Sequence, residues 1–249
     1  MTLLHLQHLH WEISKTVHGQ FMLPCQISAS CAKFFFSGTT GDVTIVKGDS
    51  DNVTELVLSG ILEINHQGFF MAPEGGYNPR NAFGHKFSET KLTCNLLTMQ
   101  HDAVYSFTQQ DFPHIISNIR SLEKLMPLEK GETLLSSIQE SHDMPCIHLS
   151  HALFTKKDND NDPDSITQNE DATAVWLMLD DIKDMLSHAT STHYISSLPA
   201  FDIHGMPILP VDYAQLLSGA HPACPHSVVT LSHNTWAACA PKHQHSYRP

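Results

Sequence analysis

The sequence predicts an α+β chain: an N-terminal antiparallel β-roll of the double-stranded, jelly-roll type, a long connecting helix, and a C-terminal helical domain. Between Gly41 and Phe107, short apolar runs alternate with glycine-bearing turns, as brief antiparallel strands require. After Phe107 the apolar residues recur at three- and four-residue intervals, which is helical spacing. A hydrophobic fraction of 41% over 249 residues supplies a core, and no run approaches the ~20 apolar residues of a membrane-spanning helix.

Residues 1–40 form an N-terminal segment carrying Cys25 and Cys31. It opens without the basic start and uninterrupted apolar core of a secretory signal, so a cytoplasmic protein with reduced thiols is expected. Residues 41–111 make the roll. Its expected strands are Val43–Val46, Thr54–Leu58, Ile61–Ile64, Phe69–Met71, Leu92–Met99 and Ala103–Phe107. Lys47-Gly48-Asp49, Leu58-Ser59-Gly60 and His66-Gln67-Gly68 are expected as the turns between them.

Residues 112–142 carry Phe112, Ile115, Ile116, Ile119, Leu122, Leu125 and Met126 on one helical face. Pro127 and Gly131 interrupt the pattern and Leu134, Leu135 and Ile138 resume it, which predicts a kinked or broken long helix. Its apolar stripe is either the seam of a homodimer or a face packed on the chain's own roll.

Residues 143–217 contain an acidic run, Asp158 to Asp164, that resembles a calcium loop only loosely. Pro163 stands at the sixth position and Asn169 at the twelfth, where glycine and glutamate are required, so the run reads as a solvated linker. A helix over Thr173–His188, a break, and a second helix over Ser191–Leu198 follow, then a short segment, Met206–Leu209. Residues 218–249, rich in proline and histidine, read as an irregular tail.

Charge restricts function. Twenty-six acidic residues against 14 basic ones give a formal net charge of −12, which opposes gripping nucleic acid through bulk charge. Between Asp158 and Leu217 there are eleven acidic residues and one basic residue, Lys183. No nucleophile elbow, phosphate-binding glycine loop or carboxylate pair is present, so no enzyme is expected.

The ordered set Gly41 to Asp49, Glu55 to Ile64, Phe83-Gly84 and Thr98 to Phe112 resembles the β-roll of cyclic-nucleotide-binding-type sensor domains. Leu177 to Leu186, Ser191 to Leu198 and Phe201 to Ile208 resemble the helix-turn-helix and wing of the Crp/Fnr superfamily of bacterial transcription regulators. This resemblance implies a homodimeric DNA-binding regulator with a winged helix-turn-helix, in which Ser191, Thr192, His193, Ser196 and Ser197 face DNA. The family's arginine that bridges guanine acceptors is missing there.

Cys25-Gln26-Ile27-Ser28-Ala29-Ser30-Cys31 is similar to the segment that holds an iron–sulfur cluster in the Fnr branch. Met22 stands at the preceding ligand position and the last falls near Ala103, leaving Cys94 as the nearest substitute. With two of four thiolates in place, the reading leans to cysteines packed as small apolar residues. The cyclic-nucleotide pocket has Gly84-His85 for its Gly-Glu pair and Lys91-Leu92 near its arginine, so cyclic AMP or GMP is not expected as effector.

Cys146, His148 and His151, with His221, Cys224 and His226, have spacings unlike those of a zinc finger. As a cupin-type metal set, His66, His85 and Glu89 lack the His-x-His pair that presents two imidazoles from one strand. The second functional reading is a sensor roll that has lost DNA binding and acts through protein contacts and an acidic C-terminal surface.

Overall fold

The computed structural model describes residues 20–22, 32–36, 42–46, 56–80, 86–100, 107–128, 130–131, 133–141, 144–157, 176, 182–198, 200–201, 206–217 and 227–231. Its strands are β1 (Gln20–Met22), β2 (Ala32–Phe36), β3 (Asp42–Val46), β4 (Val57–Phe70), β5 (Lys91–Leu97), β6 (Ile138–Ser141), β7 (Met144–Ala152), β8 (Phe154–Lys156), β9 (His193–Ile195) and β10 (Ser227–Leu231). Helix α1 spans Phe107–Glu123 and α2 spans Lys183–Thr190, with a single turn at Tyr213–Leu216. The fold is an α+β mixture built around antiparallel pairing. A six-stranded sheet has the order β1-β4-β5-β7-β6, with β10 on β4, and β1 runs parallel to β4. β2–β3 and β8–β9 form separate antiparallel pairs.

Two compact units interleave along the chain: residues 1–62, 98–147 and 228–249 in one, and residues 63–97 and 148–227 in the other. In the first, α1 buries Phe112, Ile115, Ile116, Ile119 and Leu122, the stripe that the helical spacing marks out. That stripe is covered within a single chain, the second of the two readings its spacing left open. The helix ends in tightened turns, with Leu125 N donating to Leu122 O and Met126 N to Glu123 O, ahead of Pro127.

The helical resumption expected at Leu134, Leu135 and Ile138 is corrected by the structure, where none of the three is helical. Gly131 sits at φ 95°, a left-handed backbone, and Ile138 opens strand β6. The Glu123 carboxylate fixes the change of direction. It accepts from Ser137 N at 2.7 Å, Ser137 Oγ at 2.8 Å and Ser136 Oγ at 3.0 Å, so the backbone donor that would have extended a helix is spent on a side chain.

In the second unit, β5 alternates faces: Leu92, Cys94 and Leu96 are buried, while Lys91, Thr93 and Asn95 lie on the more open face. Phe87 packs edge-on between Tyr77 and Phe154, with centroids 4.9 and 5.1 Å away. Trp176 is buried and its indole donates to Pro73 O at 3.0 Å. Tyr213, fully buried, donates its hydroxyl to Leu198 O at 3.0 Å, and burial pushes its pKa up to about 12.

Three further expectations change. Leu58-Ser59-Gly60 and His66-Gln67-Gly68 are not turns between strands; both lie inside the fourteen-residue β4. The second of them is a bulge, because the register with β5 shifts between Asn65 and Phe70 and Gly68 takes φ 72° there. Residues 227–231 of the expected irregular tail form β10 on β4. Residues 54–55 and 103–106 of the expected strands and the acidic run 158–164 lie outside the described residues, as do residues 173–175 and 177–181 of the helix expected from Thr173.

Candidate functional site

The expected DNA-reading residues do not lie on a helix. α2 ends at Thr190, Ser191 and Thr192 form a turn, and His193 enters β9, which pairs antiparallel with β8 through Phe154–Ile195, Thr155–Tyr194 and Lys156–His193. The physical reason is visible at the end of α2, where the last carbonyls have no helical donor. Thr190 Oγ1 donates to Leu186 O and Ser187 O, and Ser191 Oγ donates to His188 O at 2.6 Å. Ala189 O accepts from Thr192 N at 3.1 Å and from Thr192 Oγ1 at 3.3 Å, and Thr190 O accepts from Lys157 Nζ at 2.8 Å.

A run of hydroxyl residues that read as donors for phosphates and bases is thus a C-cap, and the chain leaves it extended. Ser196 continues the extension: its N–H donates to Leu153 O and its carbonyl accepts from His151 Nε2 at 3.0 Å. Ser197 follows as an exposed residue.

Of the expected iron–sulfur ligands, one lies among the described residues. Cys25 and Cys31 lie outside the described residues. Cys94 is packed on the buried face of β5, and burial pushes its thiol up to about 12. Cys146, His148 and His151 share β7, but alternation puts Cys146 and His148 on one face and His151 on the other. Among the described residues no three His, Cys, Asp or Glu side chains gather to hold a metal. Of the cupin-type set, His85 lies outside the described residues, and His66 and Glu89 are exposed.

The structure does assemble a different constellation, on the open face of β4, β5 and β7. Asn65 and Asn95 are direct cross-strand partners, and Phe70 faces Thr93 one row along. From β7, His148 reaches Asn95, with Nδ1 and Oδ1 2.9 Å apart. The amide orientation follows from its other end, where Asn95 Nδ2 donates to Gln67 O over a long 3.5 Å. Oδ1 therefore faces the imidazole as acceptor, Nδ1 carries the proton, and Nε2 is left with the lone pair.

Gly68 makes this arrangement possible. A Cβ there would come 2.7 Å from Asn95 Nδ2, so only glycine lets the bulge and the amide coexist. Burial and the positive charge of Lys91 hold the His148 imidazole below its usual pKa, which keeps it neutral near pH 7. Sequence reasoning named Gly68, Lys91 and His148 but did not join them. The signal in the sequence was a glycine within an otherwise strand-like run, which marks a bulge as readily as a turn.

A second feature lies at residues 200–213. Ile208 N donates to Ala200 O, and Phe201 and Pro207 form an antiparallel bridge. Ile208, Pro210 and Tyr213 are buried and anchor the segment, while Phe201, Met206, Leu209 and Val211 are each more than half exposed. Comparison with protein-family models, with curated proteins and with solved structures finds no match to the chain. Among the described residues no helix is long and apolar enough to cross a membrane.

Proposed function

We propose that the chain is a non-enzymatic binding protein of the sensor-roll kind that reads no DNA through residues 191–198 and acts through contact with another protein. One observation carries this reading. Of the residues that would have to enter the major groove, 191–198, none is helical: Ser191 and Thr192 form a turn whose hydroxyls donate to main-chain carbonyls of the preceding helix, and His193–Ile195 are a strand.

Two further features support it. The acidic excess between Asp158 and Leu217 repels a phosphate backbone and attracts a basic protein surface. Within that stretch, Phe201, Met206, Leu209 and Val211 offer apolar side chains on an anchored backbone, the kind of central contact that dominates protein association. The partner surface is then an apolar pocket rimmed by lysine and arginine.

In-cell crosslinking with mass spectrometry tests this. One recurrent protein crosslinked through Lys183 and Lys157, and lost in a Phe201→Ser/Leu209→Ser variant that still folds, is the expected result. DNA recovered in its place, or unchanged crosslinking by that variant, overturns the reading.

A further inference from the structure

The open face of β4, β5 and β7 holds an arrangement that protein contact at residues 200–213 does not use. The side chains around Asn95 are constrained from both sides. The β4 bulge places Gln67 O against Nδ2, Gly68 supplies the space, and Oδ1 then fixes one tautomer of His148. Strand pairing needs none of this, because a plain threonine or valine at position 95 would satisfy β5 without a glycine at φ 72° across from it. What the arrangement produces is an imidazole of fixed orientation whose Nε2 accepts and cannot donate.

The neighbours define what such an acceptor would meet. Lys91 and Thr93 share the Asn95 face of β5, and Lys91 lies near enough for its charge to bear on the imidazole. Phe70, half exposed and opposite Thr93, adds an apolar ring to the same face. A neutral acceptor beside a cationic donor discriminates between ligands. A carboxylate or phosphate satisfies the ammonium but confronts the Nε2 lone pair. A hydroxyl can donate to Nε2 while its neighbour on the next carbon accepts from an ammonium. The C–H side of the same molecule covers the ring.

We propose that this face binds a neutral polyhydroxylated small molecule, a sugar or cyclic polyol, through a vicinal pair of hydroxyls, one donating to His148 Nε2 and the other accepting from Lys91 Nζ, with Phe70 under its C–H face. Asn95 acts as a positioning residue for His148, and Gly68 positions Asn95.

The experiment is saturation-transfer NMR on the full chain with a panel of neutral monosaccharides, myo-inositol, and the acidic counterparts glucuronate and glucose 6-phosphate. At least one neutral member is expected to receive saturation. Affinity for it should fall about tenfold in His148→Ala and in Lys91→Gln, as expected when a hydrogen-bond partner of the ligand is removed. Lys91 is exposed, so its variant reports on binding even if His148→Ala unfolds. Imidazole ¹⁵N shifts give a separate readout for the positioning role: Asn95→Ala should lose the Nδ1–H tautomer preference while Thr93→Val keeps it. Saturation of none of the neutral members, equal binding by both variants, or preference for the acidic members overturns the proposal.

Discussion

Three glycines with left-handed backbone meet different surroundings, and replacing each by alanine separates strain from contact. Gly131 (φ 95°) has nothing within 4 Å of a built Cβ. Gly68 (φ 72°) would press a Cβ to 2.7 Å from Asn95 Nδ2, and Gly75 (φ 60°) would press one to 2.8 Å from Lys91 O and 2.9 Å from Thr90 Cγ2. The left-handed backbone alone costs alanine about 1–2 kcal/mol. The stiffer unfolded chain returns about 0.4–1 kcal/mol of that.

Gly131→Ala should therefore lose between about 0 and about 1.6 kcal/mol. Gly68→Ala adds the displacement of the Asn95 amide, about 1 kcal/mol for the contacts it breaks. Gly75→Ala meets a backbone carbonyl that side-chain rotation cannot clear, adding about 1–3 kcal/mol. Urea unfolding with unchanged slope reads the order directly as midpoints: Gly131→Ala highest, Gly68→Ala next, Gly75→Ala lowest. A Gly68→Ala protein as stable as Gly131→Ala would refute the claim that the bulge is shaped to admit Asn95.

Other outcomes follow from single contacts. Glu123→Ala removes an acceptor serving three donors and should cost about 2–3 kcal/mol in urea unfolding, while Glu123→Gln retains part of it; equal stability would remove the carboxylate from its role at the α1–β6 turn. Iodoacetamide at pH 8 should leave Cys94 and Cys146 unmodified in the folded protein and label both in urea, since burial raises both thiols; modification of folded Cys94 at the rate of a free cysteine would contradict its packing.

Acid should destabilise the fold through His148 and His151, whose imidazoles burial holds below the usual 6.5. For a lowered histidine pKa the unfolded chain binds more protons, so stability is full above 6.5 and declines as pH falls through the folded values. A His151→Leu variant should show a shallower decline between pH 6.5 and pH 5, and an unchanged slope would rule out its contribution.

How far the sequence could be read depended on which interaction set each segment. The stripe Phe112 to Leu122 was legible because burial on one helical face leaves a period that no tertiary contact disguises. β5 was legible for the same reason, with Leu92, Cys94 and Leu96 alternating against Thr93 and Asn95. The helix expected beyond Gly131 was illegible because Leu134, Leu135 and Ile138 fit a helical period, yet Glu123 captures the Ser137 backbone N–H from fourteen residues away.

Ser191–Leu198 failed differently. Hydroxyl side chains both decorate recognition helices and close helix ends, and only the carbonyls they reach tell the two apart. In the open-face site, Gly68 was visible as a required glycine. Its partner Asn95 was not, because a bulge leaves no periodic mark in the opposite strand. Cys94 stands near a missing ligand position in the sequence, and the structure buries it on one face of β5.

The most direct measurement is DNA binding by fluorescence anisotropy across a salt series, using a random-sequence duplex and a genomic fragment library near neutral pH. With Ser191 and Thr192 closing α2 and β9 following them, neither duplex should associate with the protein even at the lowest salt. Saturable binding that weakens steeply as salt rises, and is reduced by substituting Ser196 and Ser197, would contradict that assignment.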